Sequence, residues 1–244
     1  MRKTLTIFFV STVALLLIWT LFAAMQQPTA QASLPPNHPT MPSALPASSL
    51  LSTTTLLDFF QPGTQPHQIT DTIDQPSLCA GCHSGYSSQV PQPAEYEPWT
   101  GWAGSMMAQA GRDPLFYAAL DIANADAAFG GDFCLRCHLP RGWLDGRSTP
   151  TDGSAMTVED QEGIQCEVCH RMVDPEYSAE NPNRDLTVLS AITSPVAFAG
   201  TGNASFIIDT ADYRRGPFDI VTDNGFDPHK ELRGAQDTLV SPYH

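Results

Sequence analysis

The sequence predicts a mainly α-helical domain with extensive irregular loops and a few short β-strands near its C-terminus. Helix signals are concentrated between residues 97 and 131. Elsewhere proline and glycine, with 21 and 17 of the 244 residues, interrupt the pattern. Short β-like runs occur only after Val188.

The first 32 residues have the pattern of an export signal. Arg2 and Lys3 precede a long apolar run, and an Ala-Gln-Ala cleavage signal ends at Ala32. The run is also long enough to cross a bilayer, so cleavage and retention as a single membrane anchor are alternatives. Either one places the rest of the chain in the periplasm or on the outer face of the membrane.

Residues 33–57 predict an extended linker, because they contain five prolines among small polar residues and no charged residue. The folded domain is expected to span 58–244. A short helix is predicted within 97–111, with Pro98 or Thr100 near its start and Gly111 as its stop.

The next helix has the clearest signals in the chain. Asp113 is the predicted N-cap, Pro114 occupies the first turn, and Gly130 and Gly131 end the helix. Its predicted buried side consists of Leu115, Ala118, Ala119, Ile122 and Phe129.

The remaining domain is predicted to be mostly irregular. Residues 139–156 have loop composition, and Thr157 with Asp160 predicts a capping box and one helical turn. The segments 204–210 and 218–224 are β-like and predict a small strand pair.

The formal charge is −14, and it becomes −16 without Arg2 and Lys3. Such an acidic chain is a poor match for nucleic acid. Simple solubility and a cationic protein partner are both compatible with it.

All six cysteines belong to one pattern, Cys-x-x-Cys-His, which occurs three times. A disulfide framework gives no reason for a histidine after each second cysteine. A four-ligand zinc site leaves three such units unevenly matched.

Covalent attachment of c-type haem accounts for every position of the pattern, and it takes place outside the cytoplasm. In that interpretation the thiols form thioethers with the haem vinyl groups, and the histidine binds the iron. The sequence therefore predicts irregular loops and helices wrapped around three covalently bound haem c groups. The predicted attachment residues are Cys79, Cys82, His83, Cys134, Cys137, His138, Cys166, Cys169 and His170.

Spacing and composition extend this prediction. The second and third motifs start 32 residues apart (134 and 166), against 55 for the first and second (79 and 134), so we expect the second and third haems to be close neighbours. Aromatic residues around the motifs are expected to pack on the porphyrins. They are Trp99, Trp102, Phe116, Phe129, Phe133 and Trp143.

The sixth iron ligand separates an electron carrier from a catalytic haem. His83, His138 and His170 each fill one axial position, and His229 and His244 are the best imidazole candidates for the opposite side. His67 is a weaker candidate. Either Met106 or Met107 is expected to supply a thioether ligand, since adjacent helical residues point about 100° apart and both cannot face one iron.

The stretches "WAGSMMAQAGRDPLF", "CLRCHLPRGWLDGR" and "GIQCEVCHRM" resemble the bacterial multihaem c-type cytochromes related to cytochrome c-554. The resemblance covers about residues 58–244. Related domains often carry a distal histidine at the position of Met107, which implies that Met107 is the better methionine candidate. Members of this family usually carry more than three haem motifs, which implies that the domain is truncated at His244.

We therefore expect an exported multihaem cytochrome that transfers electrons in an extracytoplasmic respiratory chain, with redox proteins as partners. One alternative is a multihaem oxidoreductase, or its subunit, that acts on small nitrogen or sulfur compounds at a five-coordinate haem. Another is a subunit that docks into a larger membrane complex.

Overall fold

The structure of the protein is a computed structural model, which describes residues 53–85, 97–174, 181–192 and 205–241. The described residues belong to one compact unit, Ser52–His244. The predicted export signal and most of the linker lie outside the described residues. Within the described ranges, no helix is both long and apolar enough to cross a membrane.

The described part is mainly helical, as the sequence predicts, and most of its helices are short. The helices are α1 Pro76–His83, α2 Pro98–Ala103, α3 Met106–Gln109, α4 Pro114–Asp126, α5 Gly131–His138, α6 Pro140–Leu144, α7 Cys166–His170, α8 Asn183–Ala191 and α9 Pro228–Arg233. Single 3₁₀ turns span Leu56–Phe59 and Asp160–Glu162. Strands β1 Arg215–Gly216 and β2 Leu239–Val240 pair in parallel.

Proline marks the start of five of these helices. At the first helical position its missing N–H costs nothing, because that group has no partner inside the helix. The residues are Pro76, Pro98, Pro114, Pro140 and Pro228. Asp113 also caps α4 as predicted, since its side chain accepts a hydrogen bond from Leu115 N.

In the main core, α4, α5 and α6 pack together. Ile73, Val168 and Ile208 from other segments join them. The fully buried residues of this core include Leu120, Leu135, Leu139, Leu144 and Ile208. A smaller cluster of Val173, Val188 and Ile207 lies beside it.

The predicted buried side of α4 is wrong. The helix buries Phe116 and Leu120, whereas Leu115 and Ile122 are 77% and 62% exposed. Ala118 and Ala119 are exposed as well. The helix carries alanine and large apolar residues on both sides, so its hydrophobic pattern does not decide which side packs inward.

Several predicted boundaries also differ from the structure. The segment 97–111 forms two helices, because Ser105 starts α3 as its N-cap. The glycine pair does not end α4, which stops at Asp126, and Gly131 opens α5. Part of the predicted loop 139–156 forms α6, which Pro140 starts.

The strand pair predicted for 204–210 and 218–224 is not formed by the described residues of these segments, 205–210 and 218–224. Ile208 instead bridges Met172 antiparallel. In the second segment, Asp219 and Thr222 bond the nearby backbone in local turns, which compete with strand pairing.

The predicted capping box is confirmed, and it belongs to a buried ion cluster. Thr157 N donates to Asp160 Oδ2 at 2.9 Å, and Asp160 N donates to Thr157 Oγ1 at 3.4 Å. The fully buried Asp160 carboxylate also pairs with Arg141 at 3.0 Å and with Arg147. These ion pairs connect α6 and the segment after it to the turn that leads into α7.

We expect Asp160→Ala to lower the free energy of unfolding by about 3 kcal/mol, because the substitution leaves two partly buried guanidinium groups without their carboxylate. Urea unfolding followed by circular dichroism measures the loss. Asp121→Ala on the exposed side of α4 is the matched control, with an expected change within about 0.5 kcal/mol. Equal losses in the two variants would contradict this account of Asp160.

Candidate functional site

Each Cys-x-x-Cys-His motif ends a helix, and its histidine is the last helical residue. The helices are α1, α5 and α7, which end at His83, His138 and His170. In each motif the two cysteines are three positions apart, so both thiols lie on the same side of the helix. All six cysteines are free of disulfide bonds.

The first and third motifs line one cleft with a volume of about 540 Å³. Cys79, Cys82 and His83 lie on one side, with Cys166 and His170 contributed by α7. Apolar side chains supply much of the remaining wall. They are Leu78, Pro98, Trp99, Pro217, Phe218, Ile220, Pro228 and Leu232.

Among the described residues, the second motif contributes nothing to the lining of the cleft. The side chains of Cys79 and Cys166 interact, and this interaction raises the pKa of Cys79 and lowers the pKa of Cys166. The second and third motifs share the main core through Leu135 and Val168, and the expected closeness of their haems stays a prediction.

The rings of His83 and His229 lie close together in the cleft, with nearly parallel planes. Their ring centroids are 6.1 Å apart and their planes differ by 15°. Two imidazoles that bind one metal ion from opposite sides, each through a metal–nitrogen bond of about 2 Å, have centroids roughly 6 Å apart. The predicted distal candidate His229 therefore lies at a suitable distance from His83.

The other two motif histidines are each fixed through one ring nitrogen. His170 Nδ1 bonds the carbonyl oxygen of Arg215 at 2.8 Å, and His138 Nδ1 bonds the carbonyl oxygen of Ala110 at 3.1 Å. A carbonyl only accepts, so Nδ1 carries the proton and Nε2 is free to bind a metal. Phe116 stacks on the His138 ring with centroids 4.1 Å apart.

Burial and neighbouring charges favour the neutral form of His83 and His229 in the cleft. Burial lowers the pKa of His83, and His170 and Arg214 lower it further. Burial and Arg214 likewise lower the pKa of His229. The neutral imidazole is the form that binds a metal ion.

A cluster of three carboxylates borders the cleft. Oxygens of Asp74, Glu167 and Asp212 lie within 4.8 Å of one another. Arg214 Nη2 bonds all three, at 3.0 Å from Asp74 Oδ2, 2.5 Å from Glu167 Oε1 and 2.9 Å from Asp212 Oδ2. The guanidinium occupies the position that a cation would need, so the cluster is an ion-pair network.

Among the described residues, Met106, Met107 and His67 do not line the cleft. Met107 lies on α3 with 45% of its surface exposed and Met106 with 78%, and a thioether ligand there stays a prediction. The His67 ring packs closely against Gly146. His244 lies outside the described residues.

Several residues at the site were not predicted from the sequence. Thr238 contacts His229 Nδ1 at 3.2 Å, and Asp227 contacts Thr238. The dipeptide Asp227-Pro228 repeats the Asp-Pro helix start seen before α4, and this signal could have placed His229 in the first turn of a helix.

No protein-family model matches the chain, and neither the curated proteins nor the solved structures contain a match. The motifs and the geometry of the cleft are therefore the features that bear on function.

Glu167 is expected to make stability depend on pH. Burial raises its pKa to about 7 from the ordinary 4.5, and the charge of Asp212 adds to the increase, while Arg214 and the hydrogen bond from Asp74 N oppose it. Between these two values the folded state binds more protons than the unfolded state, so the contribution of Glu167 to stability is full below about pH 4.5 and is lost as the pH rises through about 7.

Urea unfolding of the wild type and of Glu167→Gln between pH 4.5 and 8 measures this contribution. The difference in unfolding free energy between the two proteins should change with pH, by at most about 1.4 kcal/mol per pH unit. A difference that is constant across this range would show that the carboxyl group of Glu167 does not take up a proton on folding.

Proposed function

We propose that this chain is an exported multihaem cytochrome c that binds three haem c groups and transfers electrons between redox proteins outside the cytoplasm. The resemblance to the cytochrome c-554 group supports this proposal. So does the N-terminal export signal, because haem is attached to Cys-x-x-Cys-His motifs outside the cytoplasm.

The proposal depends mainly on the short distance between the rings of His83 and His229. The ring of a motif histidine lies 6.1 Å, between centroids, from a second imidazole in a largely apolar cleft, and the pKa values of both rings are lowered. The sequence separates these residues by 146 positions (83 and 229), so local chain geometry does not explain their approach. Two strong axial ligands favour a low-spin electron carrier over a haem with an open position.

The thiols and imidazoles of the three motifs are suited to binding haem c. Each motif offers two free thiols on one side of a helix and an imidazole at the helix end. The cleft wall offers apolar and aromatic surface for a porphyrin, with Trp99 and Phe218 among its residues. When bound, haem supplies a one-electron couple, and the protein supplies the axial ligands, the orientation and the exclusion of water.

The shared cleft favours a relay through neighbouring haems. Cys79 and Cys166 belong to different motifs and are in contact, so haems attached to the first and third motifs would lie side by side. Electron transfer between them needs no movement of the chain. The acidic charge of −14 favours cationic regions on the donor or acceptor protein.

The pyridine haemochrome assay on protein matured by a periplasmic haem-attachment system is expected to give three haems per chain. The absorption and electron paramagnetic resonance spectra should be those of low-spin haem. A count below three would contradict the assignment of the motifs. A strong high-spin signal that shifts with nitrite, hydroxylamine or sulfite would support the oxidoreductase instead.

We expect His229→Ala to convert one haem of the three from low-spin to high-spin, because one iron loses its second strong ligand while the thioether attachments are unchanged. The high-spin signal, integrated against total haem, measures the fraction. His67→Ala is the control, since His67 packs against Gly146 and is not among the residues lining the cleft. Retention of three low-spin haems in His229→Ala would exclude His229 as a ligand.

A further inference from the structure

His229 is held by a chain of hydrogen bonds on the side of its ring that faces away from Nε2. Its Nδ1 lies 3.2 Å from Thr238 Oγ1, and Thr238 Oγ1 donates to Asp227 Oδ1 at 3.1 Å. The Asp227 side chain is also the N-cap of α9, because Oδ1 accepts from His229 N at 2.9 Å and from Lys230 N at 3.3 Å. Asp227 is 4% exposed.

The direction of these bonds follows from the available donors. The hydroxyl of Thr238 has one hydrogen, which is directed to Asp227, and it therefore accepts from His229. Nδ1 of His229 then carries the ring proton, and Nε2 has its lone pair free. The chain fixes both the tautomer of the imidazole and the rotation of its ring.

Two backbone interactions also fix the position of Thr238. Its backbone N–H donates to Asp227 Oδ2 at 2.8 Å. The next residue, Leu239, opens strand β2, pairs with Arg215 and donates its N–H to Arg214 O at 2.7 Å. The hydroxyl is thus positioned by the strand pair that contains Arg215, which also lines the cleft.

We propose that Thr238 and Asp227 are positioning residues that orient His229 and increase its basicity as the distal ligand of the first haem. This inference rests on the proposed function, since it assumes that His229 binds iron. An imidazole whose Nδ1–H is donated to an anionic chain is a stronger electron donor. It therefore stabilises the ferric state relative to the ferrous state, and it lowers the reduction potential of that haem.

Thr238→Val removes the hydroxyl and keeps the branched shape of the side chain. At one haem, we expect the equilibrium constant that favours ferric over ferrous iron to fall about tenfold. This change corresponds to an increase in the reduction potential of about 59 mV for a one-electron couple. Spectroelectrochemical titration of the holoprotein measures the shift, and the haem count and low-spin spectrum report that the protein is intact. Thr238→Ser, which restores a hydroxyl, should return the potential toward the wild-type value.

Thr187→Val is the matched control, because it removes an exposed hydroxyl on α8 whose bond is to the carbonyl of Asn183 in the same helix. Its three potentials should equal those of the wild type. Asp227→Asn serves as a second variant if Thr238→Val does not fold. It keeps the oxygen that caps α9 and removes the negative charge, so the same haem should shift in the same direction.

The outcomes separate this inference from the proposed function. Unchanged potentials in both Thr238→Val and Asp227→Asn, together with a high-spin haem in His229→Ala, would overturn the positioning role and leave the ligand assignment intact. Three low-spin haems in His229→Ala would overturn the ligand assignment and the positioning role with it. A shift in Thr238→Val that Thr238→Ser reverses and Thr187→Val lacks supports the inference.

Discussion

The guanidinium group of Arg214 joins three segments that are far apart in the chain, and the shape of the cleft depends on it. Asp74 precedes α1, Glu167 lies inside the third motif, and Asp212 leads into β1. Asp74 N also donates to Glu167 Oε2 at 2.9 Å. Arg214 thus keeps α1 beside α7, and the first and third motifs line one cleft as a result.

Other buried arginine residues also connect segments that are distant in the chain. Arg171 donates to the backbone carbonyls of Asp71 and Asp209, and Arg215 pairs with Asp185 and Asp209. Short helices bury little apolar area, so directed bonds between loops fix positions that a larger core would fix by packing. Breaking any one of them would leave a buried charge without a partner.

Local signals in the sequence predicted the features that depend on a few neighbouring residues. Asp113 with Pro114 gave the start of α4, Thr157 with Asp160 gave a capping box, and the motif pattern gave the candidate ligands. The hydrophobic pattern failed on α4, because an alanine-rich helix has apolar residues on both sides. The proximity of the first and third motifs was not predicted, since the bonds that join them through Arg214 connect residues more than 40 positions apart.

The candidate site could be predicted only in part for the same reason. His229 was identified as a potential ligand by its residue type, but its partner His83 and its support by Thr238 depend on tertiary contacts. Thr238 has no motif that distinguishes it from other threonines. Its role depends on the register of β1 and β2, which are only two residues long each and give no periodic signal.

The prolines that open five helices also affect the unfolded chain. Each fixes one backbone dihedral angle before folding begins, so the unfolded state has fewer conformations to lose. At a compatible position this effect stabilises a protein by about 0.4–1 kcal/mol, and five such positions add to a useful share of a typical domain's stability. A loop-rich chain with a modest core thereby gains part of its stability from restrictions that no contact in the folded structure reveals.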